Sequence, residues 1–262
     1  MMPIIDAYGM RGNVVFGRGE RAEGKDSLVF IHGAGGSSTT WQPQLEYFSR
    51  AFNCFVMELP GHGAAQGPGA QEVKSYALWI RGALDELQVV SPFIIGHSMG
   101  GAITMDLALR FPTLPKGLVL AGTGARLRVH PDILDGIKKA FPQTVERICE
   151  FSLAKDVPEG MRQSVVAQMM KNSPDVLHGD FLACDRFDVM EEVVAIKKPT
   201  LVICGDQDAL APVKYSRYLA DTIAGSRLEI VEGAGHKVML ERPEQFNKQL
   251  EAFFHSAGTS DA

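Results

Sequence analysis

Residues 93–102 constrain the fold of this chain more than any other stretch. A short apolar run ends in Gly96-His97-Ser98-Met99-Gly100, and a helical pattern follows it. Gly-x-Ser-x-Gly between a strand and a helix predicts a nucleophile elbow, a turn so tight that the residues two before and two after the serine crowd each other. Glycine at both places removes the clashing Cβ atoms and leaves the serine strained, with its hydroxyl exposed above the sheet edge. The same short pattern also arises by chance, so the strand and the helix beside it are what favour an elbow here.

Apolar runs of strand length alternate with helical patterns along most of the chain. The predicted strands are residues 3–8, 13–18, 27–31, 54–59, 93–95, 116–121, 199–205 and 227–231. The predicted helices are residues 40–49, 72–87, 99–111, 213–223 and 243–254. Residues 9–12 separate the first two strands, which predicts a hairpin, and the tail from Ser256 is expected to fray.

Between residues 125 and 196 this alternation stops. Only helical patterns are found there, at residues 131–140, 143–153, 158–170 and 174–194. Alternating units specify a mostly parallel sheet with helices on both faces, joined by right-handed crossovers. We therefore predict an α/β fold in which residues 1–124 and 197–262 form the core and residues 125–196 form a helical cap above the sheet.

Composition and charge limit the partners of this chain. Apolar residues make up 45% and charged residues 22% of its 262 residues, which is ordinary for a soluble globular protein. The net charge of −5 argues against nucleic acid or an anionic membrane as the main partner, because both need a concentrated basic patch. No apolar run reaches the roughly 18 residues of a membrane span, and the start lacks the pattern of a signal peptide. We therefore expect a cytoplasmic protein. The sequence does not indicate its oligomeric state.

Motifs for a metal or a cofactor are missing from the sequence. The four cysteines have no spacing typical of a zinc site or a disulfide framework. Cys54, Cys149, Cys184 and Cys204 are instead expected to be small buried hydrophobic residues in a reducing cytosol. The glycine-rich loop at residues 32–38 lacks the full Gly-x-Gly-x-x-Gly spacing of a dinucleotide site. We therefore expect no metal and no cofactor.

Polar residues follow four of the predicted strands. In an open parallel sheet, sites form at the carboxyl ends of the strands. These positions hold the loop at residues 32–36, then Ser98, then Asp206 and Asp208, and finally His236. A serine hydroxyl is a poor nucleophile at neutral pH, so it needs a base that an acid orients. Ser98, His236 and one of the two aspartates can fill these roles.

The chain also offers donors for an oxyanion. The N–H of Met99 lies at the start of a predicted helix, where the helix dipole helps, and the N–H of Ala34 lies in the glycine loop. Each such donor typically lowers the barrier by about 3 kcal/mol. Gly33 and Gly35 let the loop approach a ligand closely, so we predict both as substrate contacts.

With these motifs the sequence resembles the α/β-hydrolase fold family over nearly its whole length. The resemblance rests on five motifs in order: His32-Gly33, Pro60-Gly61-His62-Gly63, Gly96-His97-Ser98-Met99-Gly100-Gly101, Gly205-x-x-Asp208 and Gly235-His236. It implies an eight-stranded sheet, a helical cap after the sixth strand, and Ser98, Asp208 and His236 as a catalytic triad. Within the family, the chain looks most similar to bacterial capped serine carboxylesterases.

The resemblance also helps to choose between candidate residues. Asp206 competes with Asp208 as the acid, and the family pattern counted from Gly205 selects Asp208. Seven histidines are present, and His236 is the only credible base among them. His130, His178 and His255 are expected to be solvated or cap residues, and the other three histidines to have supporting roles. His32 would support the glycine loop, His62 would brace its turn, and His97 would point away from the serine hydroxyl.

The function implied is the hydrolysis of small-molecule carboxylic esters with small to medium acyl chains, through an acyl-enzyme on Ser98. Three further functions stay open: a C–C bond hydrolase or an enol-lactonase of aromatic catabolism, or a ligand receptor of the same fold with slow turnover. Ala34-Gly35-Gly36-Ser37 departs from the Gly-Pro-Gly element usual in the C–C hydrolases.

Substrate preference is expected to reside in the cap. Its methionine and phenylalanine side chains either line an acyl pocket or pack the cap itself, and helical spacing favours packing for any one of them. The residues concerned are Met161, Met169, Met170, Met190, Phe141, Phe151 and Phe181.

Overall fold

One eight-stranded sheet organises the protein. The computed structural model describes residues 3–17, 21–65 and 67–258. The strands are β1 (Ile4–Ala7), β2 (Met10–Phe16), β3 (Ser27–Ile31), β4 (Asn53–Glu58), β5 (Phe93–His97), β6 (Gly117–Ala121), β7 (Thr200–Gly205) and β8 (Arg227–Val231). Their order is β1-β2-β4-β3-β5-β6-β7-β8, and every pair from β4 to β8 along this order is parallel. The predicted mostly parallel α/β fold is confirmed.

Helices cover both faces of the sheet. Outside the segment between β6 and β7, they are α1 (Gln42–Phe48), α2 (Val73–Glu86), α3 (Met99–Arg110), α8 (Val213–Thr222), α9 (Val238–Glu241) and α10 (Pro243–Gly258). Strand β3 shows the two layers, because its residues alternate between two apolar clusters. Val29 and Ile31 pack in the cluster that contains α2 and α3, whereas Leu28 and Phe30 pack in the cluster that contains α1 and α10. The carboxyl ends of the parallel strands therefore open at one rim, between the two layers.

The hairpin at the start of the sheet is tighter than predicted. Strand β2 begins at Met10, so that Tyr8 and Gly9 alone form the turn and Ala7 pairs with Met10. Both turn residues have positive φ angles, 50° and 74°. Such a two-residue turn matches the twist of the paired strands, and the predicted connection at residues 9–12 is therefore wrong. The predicted end of this strand, Arg18, lies outside the described residues.

Four helices occupy the segment between β6 and β7, here called the helical insertion (residues 125–196). They are α4 (Pro131–Lys139), α5 (Phe141–Ser152), α6 (Glu159–Met169) and α7 (Pro174–Arg186), followed by a short 3₁₀ turn at Val193–Ala195. They share an apolar cluster of their own, which includes Ile137, Val145, Ile148, Val165 and Leu177. The last predicted helix, residues 174–194, is too long. It ends at Arg186 because Asp188 pairs with Arg126 in a β-bridge, and this bridge ties the segment back to the core.

The chain after β8 differs from the prediction in two places. Helix α9 is not predicted by the sequence pattern, and α10 reaches Gly258 rather than ending at residue 254. The expected fraying from Ser256 is therefore not found up to Gly258, and residues 259–262 lie outside the described residues. The extension follows from packing, since Phe246, Leu250 and Ala257 lie on one buried face of this helix.

Two further sequence expectations concern the whole fold. All four cysteines are buried and none forms a disulfide, as predicted for small hydrophobic residues. Within the part of the chain that the structure describes, no helix combines the length and the apolar character needed to cross a membrane.

Candidate active site

The turn at Ser98 has the geometry of an elbow. Strand β5 ends at His97 and α3 begins at Met99, which leaves Ser98 between them with φ 55° and ψ −117°. A positive φ on a non-glycine residue costs roughly 1–3 kcal/mol, so the surrounding packing must hold this conformation. A Cβ on Gly96 would lie 2.1 Å from the carbonyl oxygen of Gly100, and a Cβ on Gly100 would lie 2.3 Å from that of Ile31. Only glycine fits at either position.

A histidine–aspartate pair lies at the same rim. Asp208 follows β7 and His236 follows β8, and His236 Nδ1 donates to Asp208 Oδ2 at 2.9 Å. The other carboxylate oxygen accepts the N–H groups of Leu210 and Ala211 at 2.9 and 2.8 Å. The carboxylate is thus fixed on both oxygens, and a neutral His236 keeps the lone pair of Nε2.

The competing acid, Asp206, faces elsewhere. Its Oδ1 accepts the N–H of Gly233 at 2.8 Å, and the side chain stabilises the loop after β8. The structure therefore brings Asp208, and not Asp206, to the ring of His236.

The glycine loop after β3 lies against the elbow. A Cβ on Gly33 would come within 3.0 Å of Ser98 Cβ, which shows how closely the two segments approach. Ala34 lines the cavity beside Ser98. Met99 occupies the first position of α3, where an N–H has no carbonyl partner inside the helix. No group in the described ranges accepts a hydrogen bond from the N–H of Ala34, so both backbone donors are free for a ligand oxygen.

Gly33 and Gly35, the predicted substrate contacts, lie on either side of Ala34; neither lines the cavity at Ser98, and Gly35 lines a neighbouring cavity. Gly33 instead makes room for Ser98. Gly35 faces the helical insertion: its N–H donates to Asp180 Oδ2 at 2.9 Å, and its carbonyl accepts from Asn172 Nδ2 at 2.8 Å. The insertion thus fixes both backbone groups of the residue after Ala34.

Asp180 is the polar residue of this region that the sequence reasoning missed. It lies on α7, is fully buried, and accepts hydrogen bonds from three separate segments. Besides Gly35 these are His62 Nε2, at 2.7 Å, and the hydroxyl of Tyr76 on α2, also at 2.7 Å. The only signal in the sequence is one acidic residue on an otherwise apolar helix face. His62 does brace its turn, because its Nδ1 donates to the carbonyl of Pro60.

The surroundings of His62 favour its positively charged form. A carbonyl and a carboxylate can only accept, so both ring nitrogens of His62 act as donors, as in an imidazolium. Burial lowers the pKa of His62, but the charge and the hydrogen bond of Asp180 raise it more, and the net effect is a raised pKa.

Two further buried histidines are neutral and support the loops. His97 Nε2 donates to the backbone carbonyl of His236 at 3.0 Å, while His97 Nδ1 faces Gly33 and has no hydrogen-bond partner among the described residues. His32 Nδ1 donates to the carbonyl of Gly33, and its Nε2 accepts the N–H of Leu59. Burial lowers the pKa of His32 to about 4 and that of His97 well below its usual range.

Glu241 holds the loop that carries His236. Its carboxylate accepts three backbone N–H groups, from Gly235, Lys237 and Ala154, at 2.9 to 3.0 Å. Ala154 belongs to the helical insertion, so Glu241 also joins the insertion to the core. These bonds give the loop after β8 a fixed shape around His236.

Ser98 and His236 open into a cavity of about 360 Å³. The insertion supplies much of its wall, including Ile133, Ile148, Phe151, Met169 and Phe181. Three of the seven side chains considered for an acyl pocket therefore line it, namely Met169, Phe151 and Phe181. Among the described residues, no three His, Cys, Asp or Glu side chains are arranged to hold a metal ion.

Comparisons with known proteins agree with this fold. A family model described as the alpha/beta hydrolase family matches residues 28–249. A solved structure of a thermophilic esterase is 34% identical, with a TM-score of 0.86 and 98% of each chain covered. A 3-oxoadipate enol-lactonase of Acinetobacter baylyi is 26% identical, with 90% of each chain covered. A pimeloyl-[acyl-carrier protein] methyl ester esterase of Pectobacterium carotovorum is also 26% identical, with 88% of this chain and 94% of the relative covered.

Proposed function

This chain belongs to the alpha/beta hydrolase family, and on that basis we propose that it cleaves carboxylic esters of small to medium acyl chain through an acyl-enzyme on Ser98. One observation carries the proposal: a strained serine at a strand–helix turn and a buried histidine–aspartate pair open into the same cavity. A nucleophile, a base and an orienting acid are the parts that serine hydrolysis requires.

The first half of the reaction uses the groups at the rim. Ser98 Oγ attacks the ester carbonyl carbon while His236 Nε2 takes its proton, and Asp208 stabilises the imidazolium that forms. The carbonyl oxygen becomes an oxyanion and accepts the N–H groups of Met99 and Ala34. The C–O bond to the alcohol then breaks, and His236 returns the proton to the departing oxygen.

The second half releases the acid. Water enters the site of the departed alcohol, and His236 takes a proton from it as it attacks the acyl carbon. A second oxyanion forms in the same two-donor site and collapses, which breaks the bond to Ser98. His236 gives its proton back to Ser98 Oγ, so that the protein returns to its starting state.

In this scheme the helical insertion, residues 125–196, acts as a cap, and its side chains contact the acyl chain of the substrate. The wall of the cavity supports this role, because Phe151, Met169 and Phe181 form an apolar surface of limited size there. Short and medium acyl chains fit such a space better than long ones. The four buried thiols support a cytoplasmic site of action.

Lactone hydrolysis is the second candidate, since a relative over 90% of this chain is named an enol-lactonase. The same groups would open a lactone, with the leaving oxygen still joined to the acyl part. C–C bond hydrolysis, or the reception of a ligand with slow turnover, would use the same fold and the same cavity. Rapid multiple turnover on simple p-nitrophenyl esters would separate an esterase from a receptor.

Labelling with phenylmethylsulfonyl fluoride tests the proposal. Peptide mass spectrometry is expected to find one adduct, on Ser98. Ser152 is the matched control, because it is the other serine that lines the cavity and its hydroxyl donates to the carbonyl of Cys149. Ser152→Ala should still be labelled and Ser98→Ala should not. A folded protein in which Ser98 stays unlabelled would contradict the proposal.

A further inference from the structure

The cavity at Ser98 is cationic although the protein is acidic. Its wall includes Arg128, Arg147 and Lys237, and no aspartate or glutamate of the described chain lines it. The protein as a whole has a net charge of −5, so this excess of positive charge is local. A cavity lined by charge of one sign raises the local concentration of ligands of the opposite sign.

Lys237 is the buried one of these three cations. It follows His236 directly in the chain, lines the cavity, and is only 9% exposed. Among the described residues, its ammonium group has neither a hydrogen-bond nor an ion-pair partner. Both oxygens of Glu241, the acidic residue four positions later, are already occupied by backbone N–H groups.

Several other cations of this protein pair with a carboxylate, even at the surface. Lys116 lies 2.9 Å from Asp26, and Arg110 lies 2.7 Å from Asp106. A buried charge without a hydrogen-bond partner is costly, and burial lowers the pKa of Lys237 below its usual range, although the charges of Cys149 and Glu241 act in the opposite direction. An anion brought by a ligand would supply the missing partner.

Space for that anion exists beside Lys237. Lys237 and Met169 line both the cavity at Ser98 and a second cavity of about 340 Å³. Ser164 and Gln168, in the wall of the second cavity, offer a hydroxyl and an amide that can donate to an oxygen. The wall of the cavity at Ser98 is itself largely apolar, which suits a short methylene chain.

We propose that the natural substrate is a monoester of a small dicarboxylic acid, whose free carboxylate pairs with Lys237 while its ester carbonyl reaches Ser98. This inference rests on the proposed function for the step at Ser98 and names the substrate class of that same site. A carboxylate is favoured over a phosphate because a single lysine offers one point charge, and phosphate sites typically gather several charged donors. Arg147, exposed at the edge, attracts the anion as it enters, whereas Arg128 already lies 3.8 Å from Asp188.

Monoethyl glutarate and ethyl pentanoate form a matched pair of probes, because they have the same chain length and differ by one carboxylate. The wild-type protein should have the higher kcat/KM on monoethyl glutarate. Lys237→Met should lower the ratio of the two kcat/KM values by about tenfold to a hundredfold, the range of a lost charged hydrogen bond. Lys237→Arg should keep most of the preference, and Lys171→Met, on the exposed surface, should leave the ratio unchanged.

A binding experiment separates this inference from the proposed function. Calorimetry on the Ser98→Ala protein should detect monoethyl glutarate but not ethyl pentanoate, and adding Lys237→Met should abolish that binding. If Ser98 proves inert but this binding pattern holds, the anion site stands and the esterase proposal fails. If wild-type protein hydrolyses both esters equally well, or Lys237→Met keeps the preference, the anion site is wrong.

Discussion

Two buried histidine–aspartate pairs lie close to the candidate site, and they differ in what their rings can do. His236 and Asp208 are 2.9 Å apart, and the ring of His236 lines the cavity. His62 and Asp180 are 2.7 Å apart, and both side chains are fully sealed from solvent. In the first pair only Nδ1 of the histidine has a hydrogen-bond partner among the described residues, whereas in the second pair both ring nitrogens face acceptors.

The difference shows how one pair of residue types serves two purposes. A general base must be neutral and must have a lone pair that faces the reacting atom. His62 meets neither requirement, so the His62–Asp180 pair acts instead as a charged link between the insertion and the loop after β4. Asp180 extends that link to Gly35, next to Ala34, the proposed oxyanion donor. One pair therefore suits proton transfer, and the other fixes the loop that carries the proposed oxyanion donor.

The largest expected effect concerns the reacting pair. Asp208→Asn should lower kcat by about 10⁴-fold while changing the unfolding free energy little, since the amide favours the wrong tautomer of the histidine. Steady-state kinetics on p-nitrophenyl butyrate and urea unfolding would measure the two quantities. Asp206→Asn is the matched control, because its side-chain oxygen can still accept from Gly233. Full activity in Asp208→Asn would show that the His236–Asp208 pair, like the His62–Asp180 pair, takes no part in proton transfer.

The second effect concerns the linking pair. Asp180→Asn should lower the unfolding free energy by about 3–5 kcal/mol, because it leaves the imidazolium of His62 buried without its counter-charge. We also expect kcat to fall by about tenfold to a hundredfold as the loop at Gly35 loosens, with KM changing less.

Asp175→Asn provides the comparison for Asp180→Asn, since Asp175 is an exposed carboxylate in the first turn of the same helix. Urea unfolding of both variants at neutral pH would measure the change. If Asp180→Asn and the control are equally stable, the His62–Asp180 pair does not stabilise the contact between the insertion and the loop after β4.

The smallest effect is the pH dependence of stability. The pKa of His62 is raised in the folded protein, so its contribution is complete below the unfolded value of about 6.5 and is lost as the pH rises through the folded pKa. The difference in unfolding free energy between wild type and His62→Gln should therefore shrink with rising pH. Unfolding curves at several pH values would measure it, and a difference that grows with pH would mean that His62 is neutral.

The same contrast explains what the sequence could predict. Ser98, Asp208 and His236 each follow a strand within a short local motif, and a parallel sheet brings the ends of its strands to one rim. The pairing of Asp180 with Gly35 joins positions 145 residues apart, and no local pattern encodes it. A glycine-rich loop predicts that something approaches Gly35 closely, but it does not say what. The atoms that approach it are Leu177 Cδ1 and Met169 Cγ of the insertion.

The ends of helices are likewise poorly predicted from the sequence. The helical pattern continues past Arg186, yet α7 stops there because Asp188 bridges to Arg126 and the N–H of Val189 donates to Ala125. Periodicity measures which face of a segment is apolar, and it contains no information on such a contact with a distant strand end. The fold and the candidate reacting residues were therefore predictable, whereas the contacts that position them were not.

Acid-quench mass spectrometry during turnover of p-nitrophenyl butyrate tests the proposed chemistry most directly. A protein that works through Ser98 should carry one butyryl group on that residue in the steady state, and Ser98→Ala should carry none and release no p-nitrophenol above background. Multiple turnover by Ser98→Ala, or a butyryl group on any other residue of a turning-over wild-type protein, would contradict it.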